Sequence, residues 1–155
     1  MEANKFWAVI PAYNEEKSIA GIIKKTKKCI GNVVVVDDGS KDNTREIAEK
    51  AGAVVLRHVV NLGKGATLKT GCDYAAKKNA EFIVVLDADA QHYPEDIPRF
   101  IEKLEKYDIV FSYRKLSKKM PLVLRFGNWF ISKIVRMLYG VDLIDTQSGF
   151  RAFSR

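Results

Sequence analysis

Residues Ile83-Val84-Val85-Leu86 form an apolar run, mostly β-branched, that ends abruptly on Asp87-Ala88-Asp89. A run with no polar face reads as a central strand buried on both sides. Such a strand delivers acids to its own end. In an open α/β sheet the crevice at the strands' carboxyl ends is where ligands bind, so Asp87 and Asp89 fall where a metal-bridged phosphate would be held. Two carboxylates that close repel unless a cation sits between them. Hard oxygen ligands suit Mg²⁺ or Mn²⁺, and the amide oxygen of Gln91 is a candidate third ligand. The alternative is that Asp-x-Asp is only a polar turn capping the next helix.

The rest of the chain repeats the same grammar. Phe6–Ile10 reads as a first strand closed by Pro11, and Asn14-Glu15-Glu16 opens a helix carrying Ile19, Ile22, Ile23 and Ile30, with Asn14 as its N-cap. Val33–Val36 is a second buried strand and also ends in acids, Asp37-Asp38, before Gly39-Ser40. Asp42-Asn43-Thr44 starts a helix through about Lys50, and Ala53–Leu56 is a third strand. Asn61-Leu62-Gly63-Lys64-Gly65 is a glycine loop opening a helix with Leu68, Cys72 and Ala75 on one face. Pro94-Glu95-Asp96 opens a helix to about Lys106, Asp108–Ser112 is a strand, and Leu122 to about Leu138 is an aromatic amphipathic helix. The chain closes on Asp145–Phe153, polar and then strand-like. Strands alternating with helices predict an α/β fold, a mostly parallel open sheet with helices on both faces.

At 155 residues and 47% hydrophobic, the chain is expected to form a single domain over 1–155. No signal peptide is evident, and the apolar stretches fall far short of the roughly 20 residues that span a bilayer. Cys29 and Cys72 read as a reduced cytosolic pair, one on each of two helices. His58 and His92 are single, so no zinc cluster is expected. The net charge is +7, and its distribution matters more than its size. Between Asp108 and Asp142 there is no acid, while Arg114, Lys115, Lys118, Lys119, Arg125, Lys133 and Arg136 all fall there. Such a patch attracts phosphates, whether on nucleic acid, anionic lipid or a phosphorylated substrate. The apolar residues Leu122, Val123, Leu124, Phe126, Trp129, Phe130 and Ile134 lie among these cations, and either core packing or contact with a membrane surface explains them.

Two strands expected to be neighbours, both ending in acids, bring Asp37, Asp38, Asp87 and Asp89 toward one crevice, an expensive arrangement unless cations or donors answer it. The Gly63-Lys64-Gly65 loop lacks the full phosphate-loop pattern, and serves either as a helix start or as a direct ligand. Four blocks then resemble the family 2 glycosyltransferases of GT-A fold: Ile10-Pro11-Ala12-Tyr13-Asn14-Glu15-Glu16; Val36-Asp37-Asp38-Gly39-Ser40 with Asp42-Asn43-Thr44; Asn61-Leu62-Gly63-Lys64-Gly65; and Asp87-Ala88-Asp89-Ala90-Gln91-His92-Tyr93-Pro94. Asp145-Thr146-Gln147-Ser148-Gly149-Phe150-Arg151 is similar to the dolichyl-phosphate and polyprenyl-phosphate branch.

The resemblance implies a Rossmann-like GT-A domain that moves a sugar, mannose or glucose, from a GDP- or UDP-sugar to a polyprenyl or dolichyl phosphate with inversion. It implies that Pro11, Tyr13 and Glu15 line base and ribose, with Asp37, Asp38 and Lys64 also in the nucleotide-sugar site. Asp87, Asp89 and Gln91 would hold Mg²⁺ or Mn²⁺ on the diphosphate. Arg114 and Arg125, with Arg151, would grip the acceptor phosphate, for which guanidinium forks are suited. Asp89, Arg114 and Arg125 are the expected catalytic residues. The implied location is cytoplasmic, peripheral at the membrane face.

Two departures stand out. Tyr113 occupies a position where the family usually has a small residue, and relatives continue beyond Arg155 with elements that complete the acceptor side, so that part is expected to be missing here. The competing readings are a hydroxyl-acceptor glycosyltransferase, a nucleotidyltransferase, a phosphoacceptor module and a basic nucleic-acid-binding domain. Nucleic acid is not an expected partner, because the acids in the crevice would repel its backbone.

Overall fold

The computed structural model describes residues 5–89, 93–112 and 149–154. Six strands form one sheet: β1 (Phe6–Ala12), β2 (Asn32–Asp37), β3 (Val54–Arg57), β4 (Phe82–Val85), β5 (Ile109–Phe111) and β6 (Arg151–Ser154). Their order is β3-β2-β1-β4-β6-β5, with β1, β2, β3 and β4 parallel and β6 antiparallel to β4. The helices are α1 (Ile19–Lys27), α2 (Thr44–Lys50), α3 (Lys64–Lys77) and α4 (Ile97–Leu104), the last entered through a 3-10 turn at Pro94–Asp96. The chain divides into two compact units, Met1–Val110 together with Phe150–Arg155, and Phe111–Gly149. The cleft described below belongs to the first.

The apolar runs are buried on both faces, as strands without a polar side must be. Ala8, Ile10, Ala12, Val33, Val35 and Val84 face α1, α2 and α4 through Ile19, Ile23, Ala48, Ile97 and Phe100. Val9, Val34, Val36, Ile83 and Val85 face the other way, onto α3 through Ala75, Leu68 and Cys72. The helix at residue 64 packs closely because it presents Gly71 to the sheet. A Cβ there would lie 2.4 Å from Val9 Cγ1 and 3.1 Å from Val36 Cγ2.

Several expectations are corrected by the backbone. β1 is not closed by Pro11 but runs to Ala12, pairing Pro11 with Val36 and Ala12 with Asp37. Its pairing with β4 stops earlier, at Val9 with Val85, so a proline without an N–H interrupts no ladder on that side. Asn14 does not cap a helix. Its φ of 56° is left-handed, a conformation asparagine tolerates, and α1 begins only at Ile19. The acids of β2 and β4 are not on adjacent strands, because β1 lies between them. Cys29 lies just past the end of α1, not on it, and both cysteines are free. Burial pushes both thiols up, which lowers their thiolate fraction. The predicted helix at 122–138 falls outside the described residues. No helix among the described residues is long and apolar enough to cross a membrane.

Candidate nucleotide-sugar site

β1 outruns its β4 partner. After the last bond between them, Leu86 N to Val9 O at 3.2 Å, the two strands no longer pair. Because the chain turns to opposite sides of β1, through β2 and through β4, this is the switch point where an open parallel sheet parts at its carboxyl edge. A cleft of about 300 Å³ opens there, lined by Pro11, Ala12, Tyr13 and Glu15 on the β1 side, Asp38, Asn61, Gly63, Lys64 and Thr67 on the next, and Asp87, Ala88 and Asp89 from beyond β4.

The first wall is built by two loops that hold each other. Asn14 N donates to Ser40 Oγ at 2.9 Å, Glu15 N to Thr44 Oγ1 at 2.7 Å and Glu16 N to Asp42 Oδ2 at 3.1 Å. In return Lys41 N donates to Asn14 Oδ1 at 2.9 Å and Asn43 N to Glu16 Oε2 at 3.2 Å. The bond from Lys41 N occupies the Asn14 side-chain oxygen that a cap would turn toward its own helix, and with the left-handed Asn14 backbone it accompanies the later start of α1. The Glu15 carboxylate is set by the Ser18 hydroxyl, which donates to Oε2 at 2.7 Å.

The second wall hangs on Asp38. Its Oδ1 lies 2.6 Å from His58 Nδ1 and accepts from Leu62 N at 3.0 Å, and its Oδ2 accepts from Gly63 N at 2.8 Å. His58 Nε2 in turn meets Thr70 Oγ1 at 2.9 Å, tying the loop to α3. Burial alone would raise the Asp38 carboxyl, but the hydrogen bonds from Leu62, His58 and Gly63 outweigh it and hold the group below its ordinary value. Of the roughly four acceptor positions of a carboxylate, three are used, leaving one on Oδ2 for a ligand. His58 went unrecognised in the sequence because a lone histidine carries no pattern; its position one residue past β3 is the sole local signal.

Asp37 departs from expectation. It is fully buried outside the cleft, its Oδ1 accepting from Ser40 N at 3.0 Å and its Oδ2 lying 3.5 Å from Arg57 Nε. It shapes the turn before Gly39, whose φ of 73° and close approach to the Val60 backbone leave no room for a side chain. Among the described residues the acids lining the cleft are therefore Glu15, Asp38, Asp87 and Asp89, with Lys64 as the cation. Lys64 Nζ lies 2.7 Å from Asp87 Oδ1. Lys64 is also the first residue of α3, whose N-terminus carries partial positive charge.

Gln91, Arg114 and Arg125 lie outside the described residues. Arg151 starts β6, paired with Val85 two residues before Asp87, but it does not line the cleft. Among the described residues no three carboxylate, imidazole or thiol groups gather into a self-sufficient metal site. Asp87 and Asp89 nonetheless form the partial set that Mg²⁺ or Mn²⁺ uses, since these ions take one or two carboxylates and complete their shell from substrate phosphate and water. The hard-oxygen donors fit such an ion.

The depressed carboxyls set an acid limit. At Asp42, burial raises the carboxyl, but bonds from the Thr44 hydroxyl, Thr44 N and Glu16 N outweigh it. A group whose pKa is lower folded than unfolded stabilises the fold above its unfolded value, about 4, and loses that contribution as pH falls through the folded value. Stability of the parent against urea is expected to fall as pH drops below about 4. Asp42→Asn should be less stable at pH 7 and lose less on acidification, and an equal acid slope in both proteins would refute this assignment.

A mostly parallel sheet opening at its switch point onto carboxylates and a helix N-terminus defines a Rossmann-like α/β domain of GT-A fold. The family model "Glycosyl transferase family 2" matches residues 7–154, and the chain belongs to that family. The uncharacterized protein MJ1222 of Methanocaldococcus jannaschii is 43% identical over 162 residues, covering 99% of this chain and 67% of the relative. The UDP-N-acetylglucosamine–dolichyl-phosphate N-acetylglucosaminyltransferase of Methanococcus voltae is 35% identical, covering 96% of this chain and 69% of the relative. In fold, the chain superposes on glucosyl-3-phosphoglycerate synthase of Mycobacterium tuberculosis, solved with Mn²⁺, UDP-glucose and phosphoglyceric acid, at a TM-score of 0.74 and 22% identity. That match covers 97% of this chain and 56% of the synthase, so the chain spans little more than half of its solved relative.

Proposed function

We propose that this domain binds a nucleotide-diphosphate sugar in the β1/β4 cleft and transfers the sugar, with inversion, to a polyprenyl or dolichyl phosphate. The observation that carries the reading is the division of the cleft. The first side, from the end of β1, carries an exposed aromatic ring, Tyr13, and the acceptor Glu15; the second carries Asp38 holding the start of α3, with Lys64, Asp87 and Asp89. A base and ribose suit the first side and a diphosphate the second. The lipid-phosphate acceptor is supported by the Methanococcus voltae relative, whose name specifies one.

In this mechanism Tyr13 packs against the base while Glu15 and the remaining acceptor position of Asp38 receive hydroxyl or ring N–H donors. Lys64 contacts the diphosphate, and Asp87 and Asp89 are the residues that would hold Mg²⁺ or Mn²⁺, with Gln91 a proposed third. When bound, such an ion supplies Lewis-acid stabilisation of the charge on the departing nucleoside diphosphate. An acceptor phosphate is already an anion near neutral pH, so the site needs cations to hold it more than a strong base to activate it. Arg114, Arg125 and Arg151 are proposed for that grip. Work at a lipid acceptor implies peripheral contact with the membrane from the cytoplasmic side.

Isothermal titration with GDP, UDP, GDP-mannose and UDP-glucose, each with and without Mn²⁺, tests this. One nucleotide is expected to bind in a metal-dependent way, and Asp89→Ala to abolish that binding. Transfer of labelled sugar from that donor to a polyprenyl phosphate then tests the acceptor. Binding of none of the four, by a chain that is folded, would sink the proposal.

A further inference from the structure

The Lys64–Asp87 pair bears on the order in which the site fills. Lys64 Nζ rests 2.7 Å from Asp87 Oδ1, and the Asp87 side chain is only 16% exposed while that of Lys64 is 50% exposed. A carboxylate so largely withdrawn from water needs counter-charge, and among the described residues an ammonium on a flexible, half-exposed stem supplies it at ion-pair distance. A divalent cation using Asp87 and that ammonium compete for one carboxylate. They also repel each other, because both are positive and would share contact distance.

We propose that Lys64 is the resident counter-ion of Asp87 in the empty site, and that a nucleotide diphosphate draws it away and so frees the carboxylate for the metal. The proposal rests on the nucleotide-sugar reading of the cleft and deepens it. The exchange is balanced in charge. The ammonium leaves one anion for another, moving from the carboxylate to phosphate oxygens that its N–H groups can bond, and Asp87 gives up one cation for another. Lys64 is suited to the move because it is the first residue of α3, so its stem swings without unwinding a turn, while Gly63 behind it stays fixed by Asp38. Metal and nucleotide then assist each other, and by linkage the factor is the same in both directions. The resident lysine makes metal alone a poor ligand, which keeps the cleft from filling with a cation that has no diphosphate to hold.

The test is Mn²⁺ binding to the full chain, followed by electron paramagnetic resonance of free Mn²⁺, for the parent and for Lys64→Met, with and without UDP or GDP. Without nucleotide, Lys64→Met is expected to bind Mn²⁺ about tenfold tighter than the parent or more, as removal of a like charge at contact distance requires. With nucleotide, the parent should gain Mn²⁺ affinity by a larger factor than Lys64→Met does. Lys64→Gln, which keeps a polar head without charge, should behave as Lys64→Met does and guards against a packing artefact. Equal or weaker metal-only binding by both variants overturns the proposal, as does absence of Mn²⁺ binding in every protein under every condition. The metal-only comparison involves no nucleotide. Tighter Mn²⁺ binding by the variants with no nucleotide bound by any protein would therefore uphold the Lys64–Asp87 competition and reject the nucleotide reading alone.

Discussion

Gly71→Leu is expected to prevent α3 from seating on the sheet, leaving a chain that fails to unfold cooperatively. The smaller change Gly71→Ala shows why. Alanine improves helix propensity over glycine by about 1 kcal/mol. Its Cβ, however, would stand 2.4 Å from Val9 Cγ1, on a strand held on both sides, where neither partner yields easily. Overpacking of this kind costs about 1–3 kcal/mol, so the clash outweighs the propensity and Gly71→Ala is net destabilising. Leucine adds three more carbons to the same contact. Chemical denaturation of Gly71→Ala, Val9→Ala and the double variant decides the point: the double variant should be more stable than the sum of the single losses predicts, because Val9→Ala removes the atom that is struck. Strict additivity would show that α3 does not contact the sheet at Gly71.

Asp38→Ala should lower stability by about 2–4 kcal/mol and abolish nucleotide binding together. Three donors lose their acceptor in one step, His58, Leu62 N and Gly63 N; hydrogen bonds to a charged group contribute about 1.5–3 kcal/mol each, and less here, where the three contacts are only partly buried and water replaces part of the loss. Part of the loss is recovered, because Gly63 N also reaches Asn61 Oδ1 at 3.1 Å. Asp38→Asn keeps one acceptor oxygen and should retain more than half the lost stability while still weakening nucleotide. Denaturation and titration on the same two variants separate the effects. If Asp38→Ala were as stable as the parent, the loop at 61–63 would have to be held by something other than this carboxylate.

Much of this was legible because the inner strands are written as unbroken apolar runs. Val33–Val36 and Ile83–Leu86 have no polar face to misplace, and the acids at their ends mark the carboxyl edge of the sheet. The same completeness hid one assignment. A run that is apolar at every position does not reveal which face its next residue takes, so Asp37 and Asp38 look equivalent in sequence. Only the fold shows Asp37 folded under the turn with Ser40 and Arg57 while Asp38 meets the loop after β3. The late start of α1 was illegible for a related reason. Asn14-Glu15-Glu16 has the composition of a helix entry, but the cap oxygen of Asn14 is taken by Lys41 N, reachable only once β1 and β2 lie side by side. His58 is the same case at longer range, since both its partners lie in other elements.

The place of β6 in the sheet governs how the chain is made. Residues 151–154 pair with β4, between it and β5, although β5 precedes them in the chain. A ribosome therefore releases β1, β2, β3 and β4 as a neighbouring parallel set long before the strand that covers the outer edge of β4 exists. Throughout that interval Phe82–Val85, an apolar strand leading directly into Asp87, has one hydrogen-bonding edge open to any other strand. The strand that leads into the Asp-x-Asp pair is thus the last of the four parallel strands to gain its outer neighbour, and nascent chains stalled before residue 151 should be the ones that mispair.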